Sequence, residues 1–148
     1  MIAIGADHGG YKLKEDIKKY LDEIGMKYED VGTYSEERCD HPVYAKEVCT
    51  RIQKKKAKLG ILICTTGLGM AIDANKFKGI RCAACYTEEA TKQAKEHLDI
   101  NVLALPAKYL TISQAVVFIR TWLATEYLGG RYEERLQMIK DIEKDNMK

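Results

Sequence analysis

The chain has 148 residues, 46% of them hydrophobic and 31% charged, and a net charge of +2 at pH 7. That length fits one domain, residues 1–148, with a real core; the even charge gives no pull toward nucleic acid or a membrane surface, and no apolar run approaches a membrane span. Five cysteines, an odd number, stand in a sequence that begins without a signal-peptide layout, so reduced thiols in the cytoplasm are expected.

Ile2 to Ala6 reads as a first buried strand, and Asp7-His8-Gly9-Gly10 as the turn after it. Apolar residues at 13, 17, 20, 21 and 24 then keep helical spacing, with Gly25 as the C-cap. Lys27 to Val31 is a more polar strand, which suits a sheet edge. A polar loop over 32–42 leads to a helical face marked by Tyr44, Ala45, Val48 and Ile52, closed by the lysine-rich Lys54 to Lys58 as a solvated helix end. The apolar run Ile61 to Ile63 is a third strand, and a short helix follows over 71–77. Residues 80–86 form a fourth strand, Thr87 caps a helix running to about Glu96, and residues 101–105 form a fifth strand stopped by Pro106. Thr111 or Ser113 caps a long helix, Gly129-Gly130 breaks it, and a last amphipathic helix carries Leu136, Ile139 and Ile142. Strands alternating with helices predict a parallel sheet covered on both faces, with ligands at the carboxyl ends of the strands.

That rule singles out two turns. Asp7-His8 follows the first strand, and Cys64-Thr65-Thr66-Gly67-Leu68-Gly69 follows the third. Strand, glycine turn and helix start together offer backbone N–H groups to an anion, and a thiol at such a rim can serve as base or nucleophile. A plain glycine turn beside a core cysteine is the competing reading. The loop is no dinucleotide fingerprint, since Ile72 stands where a third glycine is needed, and no Walker loop, since the Gly-Lys-Ser/Thr ending is missing. Cys82 and Cys85 match C-x-x-C, but strand residues three apart point to opposite faces, so they read as core; Cys39 and Cys49 read as space-filling. The histidines at 8, 41 and 97 lack metal-ligand spacing. His97 precedes the fifth strand and is harder to place; a helix-end cap is its plain reading. Arg131 and Arg135 share a helix face, either as a solvated surface or as a clamp on phosphate.

The motifs Asp7-His8-Gly9-Gly10, Asp30-Val31-Gly32-Thr33, Asp40-x-Pro42, Cys64-x-Thr66-Gly67-x-Gly69-Met70, Ala74-Asn75-Lys76, Gly79-Ile80-Arg81, His97-x-Asp99-x-Asn101-Val102-Leu103 and Gly129-Gly130-Arg131-x-x-x-Arg135 stand in one order along nearly the whole chain. In that order and spacing the sequence resembles the type B ribose-5-phosphate isomerases, whose wider family includes galactose-6-phosphate and allose-6-phosphate isomerases. The resemblance implies a three-layer α/β/α sandwich with a five-stranded, parallel, Rossmann-like sheet and a C-terminal helix reaching a partner subunit. It implies aldose–ketose isomerisation through an enediolate, with no metal and no organic cofactor. Cys64 matches the base that moves the proton between C2 and C1, and Thr66 the hydroxyl beside it. The N–H groups of Thr65, Thr66, Gly67, Leu68 and Gly69 match the hole for the enediolate oxygen. Asp7 and His97 match the ring-opening groups, while His8, Arg131 and Arg135 match the phosphate grip. The resemblance further implies a homodimer or tetramer with shared active sites, in which His97 and the arginines come from a different chain than Cys64.

The departures fall on groups that read the sugar. Thr65 replaces the family's usual Gly, Leu98 an Asn, His41 a Tyr, Lys108 an Arg and Tyr132 a His; Met70 stands where some relatives carry a Glu base. Ribose 5-phosphate and ribulose 5-phosphate are therefore the expected pair. A six-carbon substrate such as allose 6-phosphate is the alternative, and a non-catalytic sugar-phosphate-binding subunit a second.

Overall fold

Five strands, the central ones apolar throughout, set the frame of the computed structural model, which describes residues 1–147. They are β1 (Ile2–Ala6), β2 (Tyr28–Asp30), β3 (Leu59–Cys64), β4 (Cys82–Ala84) and β5 (Val102–Pro106). All pair in parallel, in the order β2-β1-β3-β5-β4. Six helices join and follow them: α1 (Tyr11–Glu23), α2 (His41–Gln53), α3 (Leu68–Ala74), α4 (Glu88–Leu98), α5 (Ile112–Ala124) and α6 (Arg131–Asn146).

Because strand side chains alternate in direction, the central strands feed two cores. Ile2, Ile4, Ile61, Ile63, Leu103 and Leu105 pack against α1, α4 and α5, around Ile17, Leu21, Ile119 and Trp122. Ala3, Leu62, Val102 and Ala104 pack the other way, against Val48 and Cys49 of α2 and Met70 and Ala74 of α3. The result is the expected three-layer sandwich. The C-x-x-C reading also holds: Cys85 lies in the first core and Cys82 packs against the second. The polar β2 is an edge strand, as its composition predicts.

Several boundaries move. The first helix ends at Glu23 with Ile24 as C-cap, and Gly25 follows at φ +71, its N–H on Asp22 O and that of Met26 on Leu21 O, a Schellman pattern. α2 begins at His41, inside the stretch expected to be loop, with Pro42 in its first turn, where a missing N–H costs nothing. Lys54 to Lys58 does not close that helix: Gln53 is its last residue, and Lys55 takes φ +60 as the chain turns back toward β3. α3 starts three residues earlier than its apolar spacing suggests, and β4 is shorter than 80–86. Thr111, not Ser113, caps α5 through a capping box with Gln114.

The chain's path reverses between β1 and β3. From β1 it passes outward to β2, and from β3 it passes to the other side of the sheet. A crevice outside the carboxyl ends of adjacent strands that part in this way is where open α/β sheets bind ligands.

Candidate active site

The turns after β1 and β3 meet in that crevice. The Asp7 carboxylate accepts hydrogen bonds from the N–H groups of Gly9 (2.9 Å) and Gly10 (3.2 Å), which holds it rigid although it is only 7% exposed. Its own N–H donates to Ile63 O at 3.2 Å and so ties the first turn to the end of β3.

At that end, Cys64 is 5% exposed, and its Sγ accepts a hydrogen bond from the Gly67 N–H at 3.2 Å. Gly67 has φ +75, left-handed backbone that suits glycine, and this lets the chain leave the strand and enter α3 within three residues. Thr66 Oγ1 accepts from the Leu68 N–H at 3.2 Å, and Thr66 O accepts from the Tyr86 hydroxyl. From the β5 side, the Ala107 N–H donates to Cys64 O (2.9 Å) and the Lys108 N–H to Thr65 O (3.0 Å). The loop is thus fixed by three neighbouring strand ends. Thr65 Oγ1 stands against Gly9, where a Cβ would collide with the hydroxyl, so the two turns touch. His8 is exposed, and its Nδ1 accepts from the Cys39 N–H at 3.2 Å. Cys39 is accordingly no core filler but a half-buried neighbour of His8. Lys108 is exposed, its Nζ 5.7 Å from the centre of the Tyr109 ring, which in turn packs against Tyr86.

The thiols of Cys49, Cys82 and Cys85 lie away from this loop, packed in or against the two cores. Burial pushes the Cys49 thiol up to about 12, with the Asp73 carboxylate adding to the effect. It also pushes Cys82 and Cys85 upward. Raised in this way, all three thiols stay protonated at neutral pH.

The remaining candidates form a second cluster. The His97 ring stacks on Tyr132 at 4.2 Å, Arg131 donates to the Tyr132 hydroxyl at 3.0 Å, and the Arg131 and Arg135 guanidinium carbons lie 5.0 and 6.0 Å from the Tyr132 ring centre. Leu98 is exposed beside them. α4 leaves the carboxyl edge of the sheet and runs back toward the amino edge, so His97 and Leu98 sit at the far end of that helix. Its 11 residues span roughly 16 Å at 1.5 Å each. Within one chain, then, Asp7, His8, Cys64 to Gly69 and Lys108 gather at one edge, while His97, Leu98, Arg131 and Arg135 gather elsewhere.

Two contributors escaped the sequence. Tyr86 holds the Thr66 carbonyl; its place after β4, on the carboxyl edge, was the available signal. Asp73 binds His41 Nδ1 across 32 positions of sequence, and no local pattern announces that pair. Among the described residues no group of three or more His, Cys, Asp or Glu side chains is placed to hold a metal, and no helix is long and apolar enough to cross a membrane.

The ribose/galactose isomerase family model matches residues 2–139. Ribose-5-phosphate isomerase B of Escherichia coli is 40% identical over 142 residues, covering 96% of this chain and 95% of that protein. A Clostridium thermocellum ribose-5-phosphate isomerase B structure superposes with a TM-score of 0.95 at 40% identity, covering 97% of each chain. That of Mycoplasma genitalium, solved with bound ribulose 5-phosphate, gives 0.93 at 34% identity, covering 98% of this chain and 97% of that one.

Proposed function

Because this chain belongs to the ribose/galactose isomerase family and is a sugar-phosphate isomerase, we propose that it interconverts ribose 5-phosphate and ribulose 5-phosphate through an enediolate, with Cys64 as the carbon base. The observation that carries the assignment is the β3 end. A thiol there is held by the Gly67 N–H in a loop that three strand ends make rigid. A C–H beside a carbonyl is a weak acid, so its removal needs a fixed base and donors already in place where the oxyanion develops. Cys64 takes the C2 proton and returns it to C1. The N–H groups of residues 65–69 receive the oxyanion, with the Thr66 hydroxyl beside them. Asp7 and His97 open the sugar ring, and His8, Arg131 and Arg135 grip the phosphate. Thr65, Leu98 and Lys108 border the sugar. Phosphate binding remote from the reacting carbons holds them in register with the base.

The purified protein is expected to convert ribose 5-phosphate to ribulose 5-phosphate, with allose 6-phosphate run beside it. Turnover of the hexose alone would move the substrate and keep the chemistry. Binding of either sugar without turnover would leave a sugar-phosphate-binding subunit and end the enzyme reading.

The reading requires two subunits per site, since His97 and the arginines lie away from Cys64 in one chain. α6 also leaves Met138, Ile139 and Ile142 exposed, an apolar face suited to a partner subunit. In a two-fold dimer each site takes Cys64 from one chain and His97 from the other. Cys64→Ala and His97→Ala homodimers should both be inactive. Refolded together as an equal mixture, they should recover about a quarter of wild-type activity, because half the dimers are mixed and each carries one complete site. A mixture that stays inactive while mixed dimers are demonstrably present would place both groups of residues in the same subunit.

A further inference from the structure

One polar pair beside the crevice has no part in the scheme above. His41 opens α2, and its Nδ1 is hydrogen-bonded to Asp73 Oδ2 of α3. Asp73 lies one helical turn beyond Gly69, so the two share a face of α3. The imidazole lies along that face. A Cβ placed on Gly69 would come within 2.9 Å of both Cε1 and Nε2, so the glycine is what makes room for the ring. The Asp73 side chain is 15% exposed and the His41 side chain 41%. A largely buried carboxylate therefore anchors one ring nitrogen, while the ring stays open to solvent beside the loop that carries the Gly69 N–H. Only Nδ1 is engaged within the described residues. A carboxylate on Nδ1 fixes the ring's orientation and selects the tautomer whose Nε2 is free to accept a proton.

The isomerisation has a proton step that Cys64 does not perform. In the aldose, O1 is a carbonyl oxygen and O2 a hydroxyl; in the ketose these are exchanged. Removal of the C2 proton by the thiolate turns the C–H electron pair into the C1–C2 double bond and places the carbonyl pair on O1. Completion needs a proton delivered to O1 and one removed from O2, as the O2 pair forms the new carbonyl and C1 takes the proton back from the thiol. The net exchange is one proton from O2 to O1, with no oxidant and no co-reactant.

Resting on the ribose 5-phosphate reading, we infer that His41, oriented by Asp73, carries this hydroxyl proton between O2 and O1. Nε2 accepts it from one oxygen and returns it to the other, and the ring ends each turnover in its starting form. His41 is then a catalytic residue and Asp73 a positioning residue.

The two proton steps can be read apart with ribose 5-phosphate deuterated at C2. Loss of the label to solvent reports carbon deprotonation by Cys64, and ketose formation reports the complete exchange. His41→Gln keeps a hydrogen-bonding side chain but cannot relay a proton. It is expected to lower the kcat for ketose formation by about 10²-fold, with KM little changed. The ratio of label lost to ketose formed should rise. Asp73→Asn should move the same ratio in the same direction by less, since the ring remains but its orientation is no longer fixed by a carboxylate. Added imidazole should restore part of the ketose formation in His41→Gly and leave its KM unaltered. Ketose formation by His41→Gln within a few-fold of wild type would overturn the inference. So would a parallel loss of label exchange and ketose formation in a variant whose circular dichroism and Tm match wild type. A wild-type protein that neither exchanges label nor forms ketose would instead sink the substrate reading on which the inference rests.

Discussion

Cys64→Ala is expected to lower ribose 5-phosphate isomerisation by about 10²–10⁴-fold, the contribution typical of a positioned acid–base group. The loss should fall in kcat, because in the proposed mechanism the thiol acts on the reacting carbon and the change leaves the phosphate grip untouched. Cys64→Ser should do no better, as an alcohol is a far weaker acid than a thiol and offers almost no anionic base at neutral pH. Cys85→Ala is the matched control. Its thiol lies on the opposite face of the sheet, in the core beneath α4, where burial holds it neutral, and its removal should leave kcat alone. Initial rates of ketose formation, measured on variants with wild-type circular dichroism, decide the matter. A Cys64→Ala enzyme with near wild-type kcat would remove the thiol from the mechanism.

The second large effect concerns stability. Lys14 is completely buried, and its Nζ donates to both oxygens of Asp30, at 2.7 and 2.6 Å. Lys18 Nζ donates to the same carboxylate at 2.8 Å, and the Gly32 N–H at 2.9 Å. Burial pushes the Asp30 carboxyl upward, but the hydrogen bonds from Lys14, Lys18 and Gly32 outweigh it and hold the group below its usual value. Asp30→Asn leaves the buried Lys14 ammonium with only the longer ion pair to Glu15, at 3.3 Å, and should cost up to about 3–5 kcal/mol at neutral pH. Adding Lys14→Met to that change should recover much of the loss, since the stranded charge is then gone.

The pH dependence has a definite sign. A carboxylate lowered on folding contributes stability in full above its unfolded value of about 3.9, and loses it as pH falls through the lower folded value. The gap between wild type and Asp30→Asn, measured by denaturant unfolding, should therefore be wide at pH 7 and shrink on acidification below pH 4. Equal stabilities at pH 7 would show that losing the Asp30 charge costs nothing, and a gap indifferent to acid would show that the charge is not what stabilises.

Most of the frame was legible because it rests on periodicity. Apolar runs marked the central strands, spacing marked the long helices, and the opposite facing of Cys82 and Cys85 followed from strand geometry alone. The misplaced boundaries have local causes. α3 begins right after Gly67, and glycine-rich sequence gives no propensity signal for a helix start. The lysines after α2 are good helix formers, yet the chain has to turn at Lys55 to enter β3. In the site, the carboxyl-edge rule located Asp7, His8 and the Cys64 loop, and it could have located Tyr86. It could not place His97, whose position depends on which way α4 runs. Lys14 with Asp30 and His41 with Asp73 meet only through tertiary packing, so no window of sequence contains either pair.

Under the proposed two-subunit site, the distance between Cys64 at the end of β3 and His97 near the end of α4 bears on how the enzyme would respond to its own abundance. A catalytic centre divided between two chains exists only while those chains are together. Below the concentration at which such subunits part, the number of working centres would fall with the square of the chain concentration. Scarcity would then silence turnover more steeply than it removes protein, and a crowded chain would gain activity with no change in its fold.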